Sequence, residues 1–367
     1  MEGNMPAQAC QPVSETVSKD GLVIPLHASQ IRELIRWQII DFAPFLNGTP
    51  ADKHAVAMSV VDAFKTSGFL YLKDHGIPPS VTTRVFKSSA TFFARPQEQK
   101  DKLGWTTPQA NRGYVRTGRE KLSTVDDRSD PADRRAIPDM KESMEIGREG
   151  VEGLPNRWPD HLDDEGKGFK EVMLSFFAMC KELHIQVMQA IALGMNLPVH
   201  FFDEYVDRGD NNLRLLHYPA VHKDVFKMNP GQVRAAEHSD YGSITLLFQD
   251  QRGGLQARSP EGTFVDVTPF TDTVVVNAGD LLARWSNDTI KSTKHRVIEP
   301  PKVHGEDDDG SEMYPERYSI AYFCNPNMDM FIEAIPGTYG EGADINKAKY
   351  PGITAGEYLV QRLSATY

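Results

Sequence analysis

His238 and Asp240 stand two residues apart in "EHSDYGSITLLFQD" (237–250), where an apolar run fit for a buried strand begins. In extended chain, residues i and i+2 face the same way, so one imidazole and one carboxylate can meet a single ion. His295 in "STKHRVIEP", 55 residues after Asp240, is the candidate for a third ligand from another strand. Two histidines and one carboxylate suit Fe(II), and by occupying one face of an octahedron they leave three positions open for oxygen chemistry. Structural zinc would close a tetrahedron, usually with sulfur, and none of Cys10, Cys180 and Cys324 is placed to join it. An HxD by itself is more often a hydrogen-bonded pair at a strand end, so the metal reading needs support from the rest of the chain.

That support comes from "RYSIAYF" (317–323), whose alternation puts Arg317, Ser319, Ala321 and Phe323 on one face. A guanidinium fork beside a hydroxyl is a good receptor for a carboxylate, and a buried arginine without such a partner is costly. The bland alternative is a surface strand with a solvated arginine. In "LRLLHYP" (213–219), Arg214, Leu216 and Tyr218 also share a face. The Tyr218 hydroxyl can serve the same carboxylate, while Arg214 points elsewhere in the same cavity. Tyr241, next to Asp240, and Phe323 offer aromatic faces close to the metal, although core aromatics would have the same pattern.

These residues must be positioned by a scaffold. From residue 212 onward short β-type runs recur between turn residues: "LRLLHYP", "SITLLFQD", "GLQAR", "TFVDV", "TVVVNAG", "DLLARW", "KHRVIEP" and "RYSIAYF". Such spacing suggests a sandwich or barrel. Ahead of it, 164–194 carries apolar residues at helical spacing, among them Phe169, Met173, Phe176, Phe177, Cys180, Leu183 and Val187, as a helix packed on a sheet would. Helices are also predicted over 54–67, 79–93 and 97–103, a strand in "GFLYLKDHGIP" (68–78), short extended pieces at 21–26 and 39–46 with helical character between them, and a closing helix in "TAGEYLVQRLSATY". Residues 104–120 read as a loop, in which Asn111, Arg112 and Tyr114 are candidates to close the cavity mouth, and "EDDDG" (306–310) as a solvated acidic loop.

The chain has 367 residues and a net charge of −11, which argues against a nucleic-acid partner. No apolar run reaches about 18 residues, so no membrane span is expected. Three cysteines without a CxxC fit a reducing compartment. The first 20 residues show neither a basic nor an apolar signal region and are expected to form a disordered tail. A cytoplasmic location is expected.

HxD, a distal histidine, a late RxS and "SGFLYLKDHGIP" together resemble the isopenicillin-N-synthase-like 2-oxoglutarate/Fe(II)-dependent oxygenases. The resemblance implies a mainly β fold with flanking helices, a double-stranded β-helix (jelly-roll) barrel. One domain would cover 21–367: an N-terminal α/β part (21–160), supporting helices (161–210), the jelly-roll core (211–330) and a C-terminal segment (331–367). It implies that His238, Asp240 and His295 hold Fe(II). Arg317 and Ser319, assisted by Tyr218, would hold the far carboxylate of 2-oxoglutarate, with O2 as the oxidant and ascorbate as a possible support.

Longer stretches, "GWTTPQANRGY", "KESMEIGREG", "LRLLHYPAV", "VVVNAGDLLARWSNDTIKSTKHRV" and "RYSIAYFCNPN", resemble the fungal members of that family that oxidise the methyl group of free thymine. The implied partner is a small pyrimidine base, bound by Arg214, Tyr241 and Phe323. The implied reaction runs stepwise through 5-hydroxymethyluracil and 5-formyluracil to uracil-5-carboxylate, with release of succinate and CO2. The alternatives are a related oxygenase acting on a fungal secondary metabolite, and a non-catalytic metal-binding jelly-roll protein.

Overall fold

The computed structural model describes residues 16–17, 23–24, 37–119, 139–229, 232–299, 312–339 and 348–366. The tail expected over 1–20 (Thr16–Val17 apart), most of the helical stretch before residue 39 and the acidic run 306–310 lie outside the described residues.

Two sheets face each other. The larger has eight strands in the order β1 (Gln38–Asp41), β2 (Phe69–Lys73), β10 (Thr273–Ala278), β7 (Ile244–Gln249), β12 (Arg317–Cys324), β5 (Asn212–Tyr218), β4 (Glu142–Gly147) and β3 (Gly113–Val115). Only the β1–β2 pair is parallel. The smaller has four, in the order β9 (Phe264–Asp266), β8 (Leu255–Arg258), β11 (His295–Val297) and β6 (Ala235–His238). Successive strands cross between the sheets, which makes a double-stranded β-helix, the jelly roll.

The alternation of each strand divides the apolar residues between two cores. Ala321, Leu216, Val275, Tyr71, Leu255, Ala257 and Val297 form an inner cluster between the sheets. Ile320, Tyr322, Leu213, Leu215, Leu246 and Val276 point the other way, into a larger cluster beneath the helices. Helix α3 (Asp164–Gly194) is the main cover; Asp163 caps it by accepting from the Gly166 amide, and Phe176, Phe177 and Cys180 on its apolar stripe are buried. Helix α1 (Pro50–Thr66) packs beside it, started by a capping box in which Thr49 and Asp52 satisfy each other's backbone amides. Helix α2 (Pro79–Phe93) has the bounds expected from the sequence.

Three local expectations are corrected. "DLLARW" is not β-type: Asp280–Trp285 is a short helix, α4, which starts after Gly279 and buries Leu281, Leu282 and Trp285 at helical spacing. The extended piece at 39–46 ends at Asp41, because Asp41 Oδ1 accepts from the Ala43 amide and starts a helical turn over Ala43–Asn47. The loop expected over 104–120 contains a strand: Gly113–Val115, β3, is buried and pairs with β4, itself fully buried despite its two glutamates. The closing helix, α5, spans Ala355–Thr366. Among the described residues no helix is long and apolar enough to cross a membrane.

Candidate active site

His238 ends edge strand β6 and His295 begins β11, and the two are direct partners across the ladder, with ring centroids 4.3 Å apart. Asp240 is not part of the strand. It lies in the loop from β6 to β7, where backbone meets backbone: a Cβ on Gly242 would sit 2.2 Å from the Cys324 carbonyl oxygen. One ligand atom from each of His238, Asp240 and His295 falls within 4.8 Å of the others.

The surroundings aim these atoms. His238 Nδ1 is 2.7 Å from the Ala236 carbonyl and His295 Nδ1 is 3.2 Å from that of Thr293. A carbonyl only accepts, so each Nδ1 carries the proton and each Nε2 lone pair is left for an ion. The Nε2 atoms lie 4.0 Å and 3.7 Å from Asp240 Oδ1. Asp240 Oδ2 accepts from Thr245 Oγ1 at 2.6 Å and Asn277 Nδ2 at 2.7 Å, which fixes the carboxylate and turns Oδ1 to the histidines. Burial would raise the Asp240 pKa, but His295, His238, Asn277 and Thr245 together hold it below the usual carboxylate value. Burial and the neighbouring His295 push His238 down to about 4. The resting state is therefore one carboxylate and a neutral His238, the protonation a divalent cation needs. An all-nitrogen-and-oxygen set of this type suits Fe(II).

Next to the trio is a cavity of about 120 Å³, below the roughly 300–1,000 Å³ of sites for drug-sized ligands. Its lining includes all nine residues named from the sequence: His238, Asp240, His295, Arg317, Ser319, Tyr218, Arg214, Tyr241 and Phe323. Arg317 is 1% exposed. It donates to the Gly253 carbonyl at 2.8 Å, Ser319 Oγ at 3.1 Å and Gln249 Oε1 at 3.3 Å, and its guanidinium lies 4.9 Å from the centre of the Tyr218 ring. No carboxylate of the described residues pairs with it. A buried guanidinium held only by neutral groups is a receptor for an anion, so the chain's own residues fit a cosubstrate carboxylate as well as a metal.

At the other end, Arg214 Nε lies 2.7 Å from Oε1 of the fully buried Glu145, and its guanidinium is 5.2 Å from the centre of the Phe323 ring. Tyr241 is covered by the Arg362 guanidinium of α5 at 4.6 Å. Ser239, between His238 and Asp240, donates to Asp280 Oδ2 at 2.9 Å. Of the loop residues expected at the mouth, Asn111 lines the cavity. Tyr114 does not; it is buried against Glu142. Arg112 ties the loop to the Ala110 carbonyl.

Sequence reasoning missed Lys141, Asn212, Asn277, Leu359 and Leu363, which also line the cavity. Leu359 and Leu363 lie four apart on the closing helix, a spacing that marked an apolar face but not what it covers. Lys141 pairs with buried Asp139, whose Oδ1 accepts from the Ala236 amide on β6.

Residues 38–161 match the family model for the "non-haem dioxygenase in morphine synthesis N-terminal" domain and 209–326 that for the "2OG-Fe(II) oxygenase superfamily". A 2-oxoglutarate-Fe(II) type oxidoreductase of Metarhizium rileyi is 36% identical over 340 residues, covering 90% of this chain and 92% of its own. A proline hydroxylase of Petromyces alliaceus is also 36% identical, over 89% of this chain and 98% of its own. The full-length thymine-7-hydroxylase of Neurospora crassa, in complex with alpha-KG and thymine, is 56% identical with a TM-score of 0.81, covering 96% of this chain and all of that one. With the sheets, the ligand trio and these relatives in agreement, the chain belongs to the 2-oxoglutarate/Fe(II)-dependent oxygenases and is a non-haem iron dioxygenase that uses Fe(II), 2-oxoglutarate and O2.

Proposed function

We propose that this dioxygenase oxidises the methyl group of free thymine, stepwise through 5-hydroxymethyluracil and 5-formyluracil to uracil-5-carboxylate. The observation that carries the reading is the ring-and-guanidinium pair, Phe323 with Arg214, in a small cavity beside the His238–Asp240–His295 trio. It is supported by the 54% and 56% identity to the Neurospora crassa thymine-7-hydroxylase in its complexes with 5-formyluracil and with thymine.

In this reading His238, Asp240 and His295 hold the iron, with Thr245 and Asn277 keeping Asp240 ionised and aimed. Arg317 and Ser319, with Tyr218, take the far carboxylate of 2-oxoglutarate in a charge-assisted fork. Phe323 and Tyr241 offer ring faces to the base, in the offset geometry aromatics prefer, and Arg214 donates to a ring carbonyl. Leu216, Leu247, Leu255 and Val297 keep the site dry. Iron and cosubstrate, when bound, supply the oxidising chemistry, converting 2-oxoglutarate to succinate and CO2 while one oxygen enters the substrate. The protein's task is to hold one methyl carbon in place through successive turnovers, and an apolar pocket rejects an added hydroxyl only weakly.

Incubation with thymine, Fe(II), ascorbate and 2-oxoglutarate, followed by mass spectrometry, tests this. The expected result is 5-hydroxymethyluracil first and the aldehyde and acid later. A second reading, a secondary-metabolite oxygenase, is favoured by the 36% relatives such as the proline hydroxylase. Absence of any thymine product from an enzyme that releases succinate would select it.

A further inference from the structure

We propose that Asn212 Oδ1 accepts a hydrogen bond from a ring N–H of the substrate, so that Asn212 and Arg214 together read an adjacent N–H and C=O. This rests on the pyrimidine reading above and adds a residue that decides specificity within it.

Asn212 is the first residue of β5 and the direct cross-strand partner of Phe323. It is 6% exposed, lines the cavity and shares a strand face with Arg214 two residues on. Its amide cannot be turned round. Asn212 Nδ2 donates to the Asn111 carbonyl at 2.9 Å, and a flipped amide would set oxygen against oxygen. The Asn111 carbonyl is itself held in place. Its residue sits in the left-handed region at φ 43°, its amide donates to the Thr107 carbonyl at 2.9 Å, and its Oδ1 accepts from Trp105 Nε1 at 3.2 Å. Asn212 Oδ1 is left as a buried acceptor with no hydrogen-bond partner among the described residues.

A buried acceptor left unmade is costly, and such groups call for an explanation. Here the explanation lies in the neighbours: a ring face beside it and a guanidinium two residues along. An acceptor and a donor so placed match a cyclic amide or imide, in which N–H and C=O are adjacent. Thymine has that edge at both ring nitrogens. A purely hydrocarbon ring, or a ring alkylated on the nitrogen that is read, does not.

The test is titration of the holoenzyme, with Fe(II) and 2-oxoglutarate and without oxygen, with thymine, 1-methylthymine and 3-methylthymine. For the wild type, one methyl isomer is expected to bind at least about tenfold more weakly than thymine. In Asn212→Leu, thymine affinity falls by a similar factor and that isomer binds as well as thymine. Binding of 2-oxoglutarate stays as in the wild type throughout and reports an intact fold. If the leucine variant loses it, Asn212→Ser, too short to reach, serves the same comparison. The inference is overturned if Asn212→Leu keeps the wild-type ratios, or if neither methyl isomer is disfavoured by the wild type. A wild-type enzyme that neither binds nor oxidises thymine overturns the pyrimidine reading itself. One that oxidises thymine and ignores the Asn212 substitutions overturns only the role of Asn212.

Discussion

The two faces of β12 differ in kind although their residues alternate along one strand. Ile320, Tyr322 and Cys324 are fully buried against the helices and belong to the outer core. Arg317, Ser319, Ala321 and Phe323 face the cavity. The first face is explained by packing alone. The second buries a guanidinium with no carboxylate to match it, an arrangement that stability does not favour. Local rules broken in this way mark a site where function sets the residue.

Substitutions on the two sides should therefore separate fold from function. The largest effect is expected from Asp240→Ala, which should lose more than about 100-fold in iron affinity and all useful turnover while unfolding as a cooperative, folded protein; bound iron by absorption spectroscopy and a thermal melt read the two quantities. Ile320→Ala, one residue from Ser319 on the opposite face, should cost about 2–5 kcal/mol of stability and leave 2-oxoglutarate affinity unchanged in the folded fraction. A weakened cosubstrate site in that variant would contradict the separation of the faces. Arg317→Lys keeps the charge and loses the fork, so 2-oxoglutarate binding should weaken by about 1.5–3 kcal/mol with iron retained, as calorimetry would show.

A fourth expectation concerns pH on the helix side. His184 on α3 is fully buried, its Nε2 is 3.2 Å from Ser243 Oγ, and burial pushes it down to about 3 from its ordinary 6.5. Below pH 6.5 the unfolded chain takes a proton there that the folded one refuses, so stability falls as pH drops from about 6.5 toward 3, by roughly 2 kcal/mol at about pH 5. His184→Gln should flatten that part of the profile in urea melts; an unchanged slope would place the acid sensitivity elsewhere. The smallest effect is Phe323→Ala, about 0.5–1.5 kcal/mol of thymine binding for the stacking contact plus lost area, with 2-oxoglutarate unaffected.

Much of this division was legible beforehand. The alternation of "RYSIAYF" assigns both faces of β12, and the apolar stripe of 164–194 defines α3 to the residue. "DLLARW" misled because two adjacent leucines fit a strand as well as a helix, and Gly279, the extended residue before the helix, offers no side-chain cap to mark its start. Asn212 was not legible for another reason. Its meaning depends on the carbonyl of Asn111, 101 residues away, and on a hydrogen bond that it lacks. No local pattern encodes either.

The short ladder that brings the two imidazoles together has a consequence for dynamics. Strand β6 is the edge of its sheet, and its pairing with β11 is irregular between His295 and Val297. Edge strands with few bonds are the first to open. An ion shared by His238 and His295 would act there as a cross-strand staple, so iron would be a brake on local opening as well as a reagent. Amide hydrogen exchange at Arg234 and Ala236, whose amides donate to the Val297 carbonyl and Asp139 Oδ1, should slow when the metal is added and quicken when a chelator removes it, while the amides of β12 keep one rate throughout.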